Sequence, residues 1–219
     1  MKHILYISLF VLCCTVNAFT INSFDPTVVF YSTNPSDVAS MDTAIGVTGF
    51  TIEDFEDANL IPGLTLAYDG LPESNFILTS DLDNRALWDG SKSLLTVMNL
   101  GTNNTFRIAG GALSFGIGVG DVETSYLRLY VNDIDFGRVS ALLNYNRTVD
   151  DSREVYIRID AGANELIQTV RFSGTNVGDG IFYDHAAVQF AVPEPGSLLL
   201  YFSGLGIVFF FVRKKRIRS

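Results

Sequence analysis

The chain has 219 residues with 15 basic and 24 acidic side chains, a formal net charge of −9. Residues 19–191 alone hold 9 of the basic and 23 of the acidic groups, a net of −14, which argues against nucleic acid as a partner and against charge-driven binding to an anionic bilayer. Both cysteines, Cys13 and Cys14, precede that segment, so it has no disulfide, thiolate zinc site or thiol nucleophile.

Met1-Lys2-His3 opens the chain, followed by an apolar run from Ile4 to Cys14 and then Val16-Asn17-Ala18. A basic start, a short apolar run and a small residue at the cut read as a secretory signal peptide over residues 1–18. The run is too short for the roughly 20 residues of a membrane span. Residues 19–191 then form one extracytoplasmic domain, long enough for a sizeable core. A short helix is expected over Pro35–Met41. Phe50 to Asp57 reads as a strand, and if Phe50 and Ile52 face inward, so do Asp54 and Glu56. Trp88, beside the Asp89-Gly90 turn, is a packing residue or a surface on which a sugar ring stacks.

Further on, turn signals such as Gly110-Gly111 and Gly174-Thr175-Asn176 separate short runs of period two. Leu113, Phe115, Ile117 and Val119 alternate with Ser114 and glycines. Leu127, Leu129 and Val131 alternate with Arg128 and Tyr130; Val155, Ile157 and Ile159 with Tyr156 and Arg158; Val170 and Phe172 with Arg171. No stretch before residue 192 offers a helical stripe of ten residues. Many half-buried strands at regular spacing predict an all-β fold, an antiparallel β-sandwich of jelly-roll type. Gly116, Gly118 and Gly120 read as strand glycines under a close neighbour, and Asp133 to Gly137 as a turn.

Ala112-Leu113-Ser114-Phe115-Gly116 is one residue from the Gly-x-Ser-x-Gly nucleophile elbow, but Ser114 lies inside an alternating strand and the domain has one histidine, His185. An extracellular hydrolase is therefore the least favoured reading. His185 is expected to face solvent. In the last strand Asp184 shares parity with Phe182, Ala186, Val188 and Phe190. A carboxylate on an apolar face needs a partner. If the first and last strands are neighbours, Asp54, Glu56 and Asp184 would bind Ca²⁺ through hard oxygen ligands and staple the domain.

Residues 192–219 end the chain. Pro193-Glu194-Pro195 is followed by sixteen uncharged residues, Ser197–Val212, and then by Arg213, Lys214, Lys215, Arg216 and Arg218. The prolines set an extended hinge. The apolar run is a short transmembrane helix, and the five positive charges keep the tail on the cytoplasmic side. This three-part tail resembles the PEP-CTERM sorting signal of Gram-negative bacteria, which combines a Pro-Glu-Pro motif, an apolar helix and a basic end. The resemblance implies recognition by a membrane-embedded exosortase, cleavage near the motif and transfer to the cell surface, in an exopolysaccharide or biofilm setting. Phe50 to Asp57 and Gly180 to His185 are also similar to the opening and closing strands of PEP-CTERM protein bodies. Those bodies resemble lectin-like jelly rolls, which implies association with extracellular polysaccharide. The leading reading is a surface-sorted β-sandwich protein without catalysis, structural or adhesive in role. The alternative is a calcium-stapled, lectin-like module.

Overall fold

The computed structural model describes residues 19–24, 35–68, 77–79, 92–98, 101–120, 122, 127–142, 154–174 and 179–191. The signal peptide, Trp88, the Pro193-Glu194-Pro195 motif, the apolar run and the basic tail lie outside the described residues. Among those described, no helix is long and apolar enough to cross a membrane.

Among the described residues, eleven strands form one continuous antiparallel sheet that curls on itself. They are β1 (Phe19–Phe24), β2 (Thr51–Glu53), β3 (Leu64–Tyr68), β4 (Ile77–Thr79), β5 (Ser93–Met98), β6 (Asn103–Gly120), β7 (Leu127–Val131), β8 (Ile134–Arg138), β9 (Val155–Ala161), β10 (Ile167–Gly174) and β11 (Asp179–Phe190). Two helices interrupt them, α1 (Pro35–Ile45) and α2 (Val139–Leu142). The all-antiparallel expectation holds. Helix α1 runs for 11 residues, four beyond the expected end at Met41 and longer than any helical stripe read in the sequence. Its apolar contacts are few, chiefly Met41 and Ile45.

The 18-residue β6 serves both halves of the sheet. Its first half pairs with β3 and β10, and β7 and β8 follow outward; its second half pairs with β9 and β11. Between the halves, Gly110 and Gly111 have φ of +75° and +81°, a conformation L side chains rarely adopt. A Cβ on Gly111 would also lie 2.8 Å from that of Leu166. The bend therefore belongs at this glycine pair. It splits the sheet into a first leaf (β1-β9-β6-β11, with β5 and β2 on β11) and a second leaf (β3-β6-β10-β7-β8).

The two leaves face each other across one apolar core. Phe106 and Phe172 of the second leaf meet Tyr183 of the first, with ring centroids 5.4 and 5.3 Å apart, and Phe106 meets Phe115 at 5.7 Å. All four are fully buried, and large buried aromatics dominate core energetics. Asn104 donates to both the Tyr183 hydroxyl (2.9 Å) and Thr96 Oγ1 (2.7 Å), so the phenol enters the core with a polar partner. Burial pushes its pKa above the usual phenol value.

The alternation read in β7, β9 and β10 matches the inward side chains. Leu113 is a correction: it is 46% exposed. The β6–β11 register skips a residue there, pairing Ser114 with Gln189 and Ala112 with Phe190. A bulge reverses the parity of the residues beyond it.

Candidate functional site

The expected neighbours β2 and β11 do pair, with Glu53 opposite Ala186 and Thr51 opposite Val188. The parity at the end of β2 is a correction, because the inward carboxylate is Glu53, not Asp54. The strand ends at Glu53, and Phe55 takes φ +52° and buries its ring. Glu53 is 3% exposed and accepts from the Phe55 and Ile61 amides at 2.8 and 2.7 Å, holding the turn together. Burial raises its pKa against those two hydrogen bonds. Asp54 faces solvent and accepts from the Glu56 amide (3.1 Å). The Glu56 carboxylate accepts from the Lys92 amide (2.6 Å), while Lys92 Nζ donates to the Glu56 carbonyl (2.6 Å). Asp184 is buried, but the bulge after it breaks the expected parity. Tyr183 before it and Ala186 and Val188 after it enter the core, so Asp184 points to the opposite side of the strand, where it accepts from the His185 amide at 2.8 Å. Among the described residues, no three His, Cys, Asp or Glu side chains are grouped as a metal site.

His185 is fully buried, which corrects the expectation of a solvent-facing ring. It occupies a bulge between Asp184 and Ala187 with φ +49°. Its Nε2 lies 2.7 Å from Asp42 Oδ1 on α1. Tyr156 seals the same region by donating to the His185 carbonyl (3.0 Å), with its ring over Gly116. A Cβ on Gly116 would sit 2.6 Å from the Tyr156 oxygen, so the close-neighbour reading of that glycine holds. Arg158 fixes the far end of the helix, donating to the Ile45 carbonyl at 2.8 Å and pairing with Asp160 at 3.1 Å. Ser114 donates to Asp160 at 2.7 Å. The structure does not bring Ser114 to His185. The outer face of the first leaf is thus occupied by its own helix.

The outer face of the second leaf has no such cover among the described residues. Phe106, Ile108, Leu127, Leu129, Val170 and Phe172 point inward, which leaves their strand neighbours outward. The register aligns these in rows. One is Ala67, Thr105, Arg171, Tyr130 and Asp135; the next is Asn103, Ser173, Arg128 and Arg138; Thr65, Arg107 and Thr169 form a third. None of these side chains is buried. At the centre, the Arg171 guanidinium lies 3.8 Å from the centroid of the Tyr130 ring, a close cation–π stack. Asn103 Oδ1 (3.2 Å) and Asp133 Oδ1 (3.6 Å) orient it. Arg128 pairs with Asp135 at 2.5 Å and holds that carboxyl below its usual range.

A tight hairpin sets one border of this face. Asn132 and Asp133 have φ of +47° and +64°, the two-residue turn whose twist suits flanking strands. This corrects the turn read over Asp133 to Gly137, since only Asp133 belongs to the turn and Ile134 to Gly137 run in β8. The Asn132 side chain accepts from the Gln168 and Thr169 amides (2.8 and 3.0 Å) and donates to the Leu166 carbonyl (2.7 Å). The hairpin is thereby tied to β10. Sequence reasoning did not find this face. Its signal was the alternation of Arg128 with Tyr130, of Arg171 with Ser173, and of Asn103 with Thr105 and Arg107, but which strands are neighbours cannot be read from spacing.

No protein-family model and no curated protein matches the chain. Among solved structures it is similar to a variant of the carbohydrate-binding module CBM29-2 (TM-score 0.39, 11% identity, 64% of this chain and 90% of that one). It is also similar to the K2 cleaved adhesin domain of Lys-gingipain (0.40, 14%, 66% and 99%) and to TmCBM61 in complex with β-1,4-galactotriose (0.34, 12%, 63% and 94%). At this level the likeness carries no weight for ligand or chemistry.

Proposed function

We propose that the protein is a non-catalytic, glycan-associating domain of jelly-roll type, displayed at the cell envelope as a structural or adhesive component of an exopolysaccharide matrix. The observation that carries the molecular part is the open face of the second leaf. It is a five-stranded surface of guanidinium, hydroxyl, amide and carboxylate groups around the Arg171–Tyr130 stack. Sugars present hydroxyls at their edges and C–H groups on their ring faces. A surface that combines fixed donors and acceptors with a flat π system suits both. The strands hold these groups rigidly, so little order is lost on binding. Ser114 and His185 are each engaged elsewhere, which removes the support for a nucleophile–base pair.

Delivery rests on the two ends of the sequence. Residues 1–18 would direct export. Pro193-Glu194-Pro195, Ser197–Val212 and the basic tail would hold the chain in the membrane until an exosortase cuts it. A Ca²⁺ ion shared by Asp54, Glu56 and Asp184 is a separable part of the proposal: β2 and β11 are neighbours, but each of the three carboxylates accepts a separate backbone amide and they are not grouped, so binding would require them to rearrange.

The test is binding of the full chain, in mild detergent, to an array of bacterial and plant glycans, alongside Tyr130→Ala and Arg171→Ala. Binding to a subset of glycans that falls about tenfold in either variant supports the proposal. Binding to none, or binding indifferent to both substitutions, refutes it.

A further inference from the structure

We infer that the open face of the second leaf selects glycan chains bearing carboxylates, such as polyuronates; this rests on the glycan-binding reading above and names the class of ligand. The domain is strongly acidic, yet its described cations are not evenly spread. Of the six described basic side chains in residues 19–191, four lie on this one face: Arg107, Arg128, Arg138 and Arg171.

Two of the four are already matched, Arg128 to Asp135 and Arg171 to Asp133 and Asn103. Arg107 and Arg138 are exposed and stand at opposite corners of the face. Arg107 is on β6 and Arg138 on β8, three strand spacings apart, roughly 14 Å across the sheet. Arg138 lies directly opposite Arg128 in the register. Asp135 already answers Arg128, so Arg138 is the cation of this pair left facing outward toward an added carboxylate. Guanidinium is the cation whose planar fork matches a carboxylate. The pattern is therefore two outer guanidiniums separated by a stacked Arg–Tyr surface. It fits a chain with repeated carboxylates and flat sugar faces between them. A neutral glycan would use the centre of the face and leave both corners idle. The negative charge of the rest of the domain opposes any polyanion, and most of all one as densely charged as duplex nucleic acid, with about one charge per 1.7 Å.

The test uses the full chain in mild detergent and three probes measured by calorimetry: deca-galacturonate, its fully methyl-esterified form, and oligo(dT). We expect the acid form to bind at least about tenfold more tightly than the ester, with affinity falling as salt rises. The double variant Arg107→Gln/Arg138→Gln should lose that preference while melting like the parent, since both side chains are exposed. Equal affinity for acid and ester, unchanged in the double variant, overturns this inference and leaves the glycan reading standing. Failure of both sugars to bind, with no binding on the wider array, overturns both. Oligo(dT) binding as tightly as the acid sugar overturns the selection for sugar.

Discussion

Glu154 offers a test of the fold's energetics through pH. It stands just before β9, is 7% exposed, and burial pushes its pKa up to about 8. In the unfolded chain the same carboxyl titrates near its ordinary value, 4.5. Between those two values the folded state holds a proton that the unfolded state has lost, so stability falls as pH rises. The contribution is fully present below 4.5 and gone above about 8. At about 1.4 kcal/mol per pH unit, the loss across that window is at most about 5 kcal/mol. For a chain of this size that is on the order of ten degrees in melting temperature. Glu53 adds a change of the same sign, so the diagnostic quantity is the difference between the parent and Glu154→Gln, a neutral side chain of the same shape. Calorimetric melting from pH 4.5 to 8.5 should show the two nearly equal at the acid end and the variant progressively more stable toward the alkaline end. Parallel melting curves across the range would refute the claim that the folded state keeps this carboxyl protonated.

Gly116→Ala should destabilise by about 1–3 kcal/mol, because the new methyl displaces Tyr156 from the His185 carbonyl; chemical denaturation measures it. Asp42→Ala removes the acceptor facing buried His185 and should cost about 1–3 kcal/mol, with faster amide exchange concentrated in α1. The extracellular form should begin near Phe19 and lack most of residues 196–219, so an intact mass that still includes Arg213–Ser219 would contradict exosortase processing. A calcium staple through Asp54, Glu56 and Asp184 predicts a melting temperature raised by several degrees in Ca²⁺, not in Mg²⁺, and not in Asp184→Asn; equal melting in EDTA, Mg²⁺ and Ca²⁺ would remove it.

The strands were legible because one side of each faces the core, and period-two patterning records that directly. The inward sides of β7, β9 and β10 follow it residue by residue. Patterning failed where the backbone leaves regular geometry. The bulge at Leu113 turned an apolar side chain outward. The bulge at His185 hid an imidazole, and the end of β2 exchanged Asp54 for Glu53. One inserted residue reverses every side chain after it, and nothing in the composition marks its place. The open face was illegible for a different reason. Arg107, Arg171, Tyr130 and Arg138 come from four strands, and only the order of strands in the sheet makes them neighbours. Helix α1 was underestimated because it buries only Met41 and Ile45 by apolar contact and is fastened by Arg158 and His185, partners more than a hundred residues away.

The most direct test of the central claim is arginine footprinting of the full chain with phenylglyoxal, read by mass spectrometry, with and without a saturating bound glycan. The account predicts that Arg107 and Arg138, on the open face, are protected by the glycan. Arg158, which lies on the helix-covered face of the first leaf, should react equally in both states. Protection that spares Arg107 and Arg138, or that falls on Arg158 instead, would contradict it.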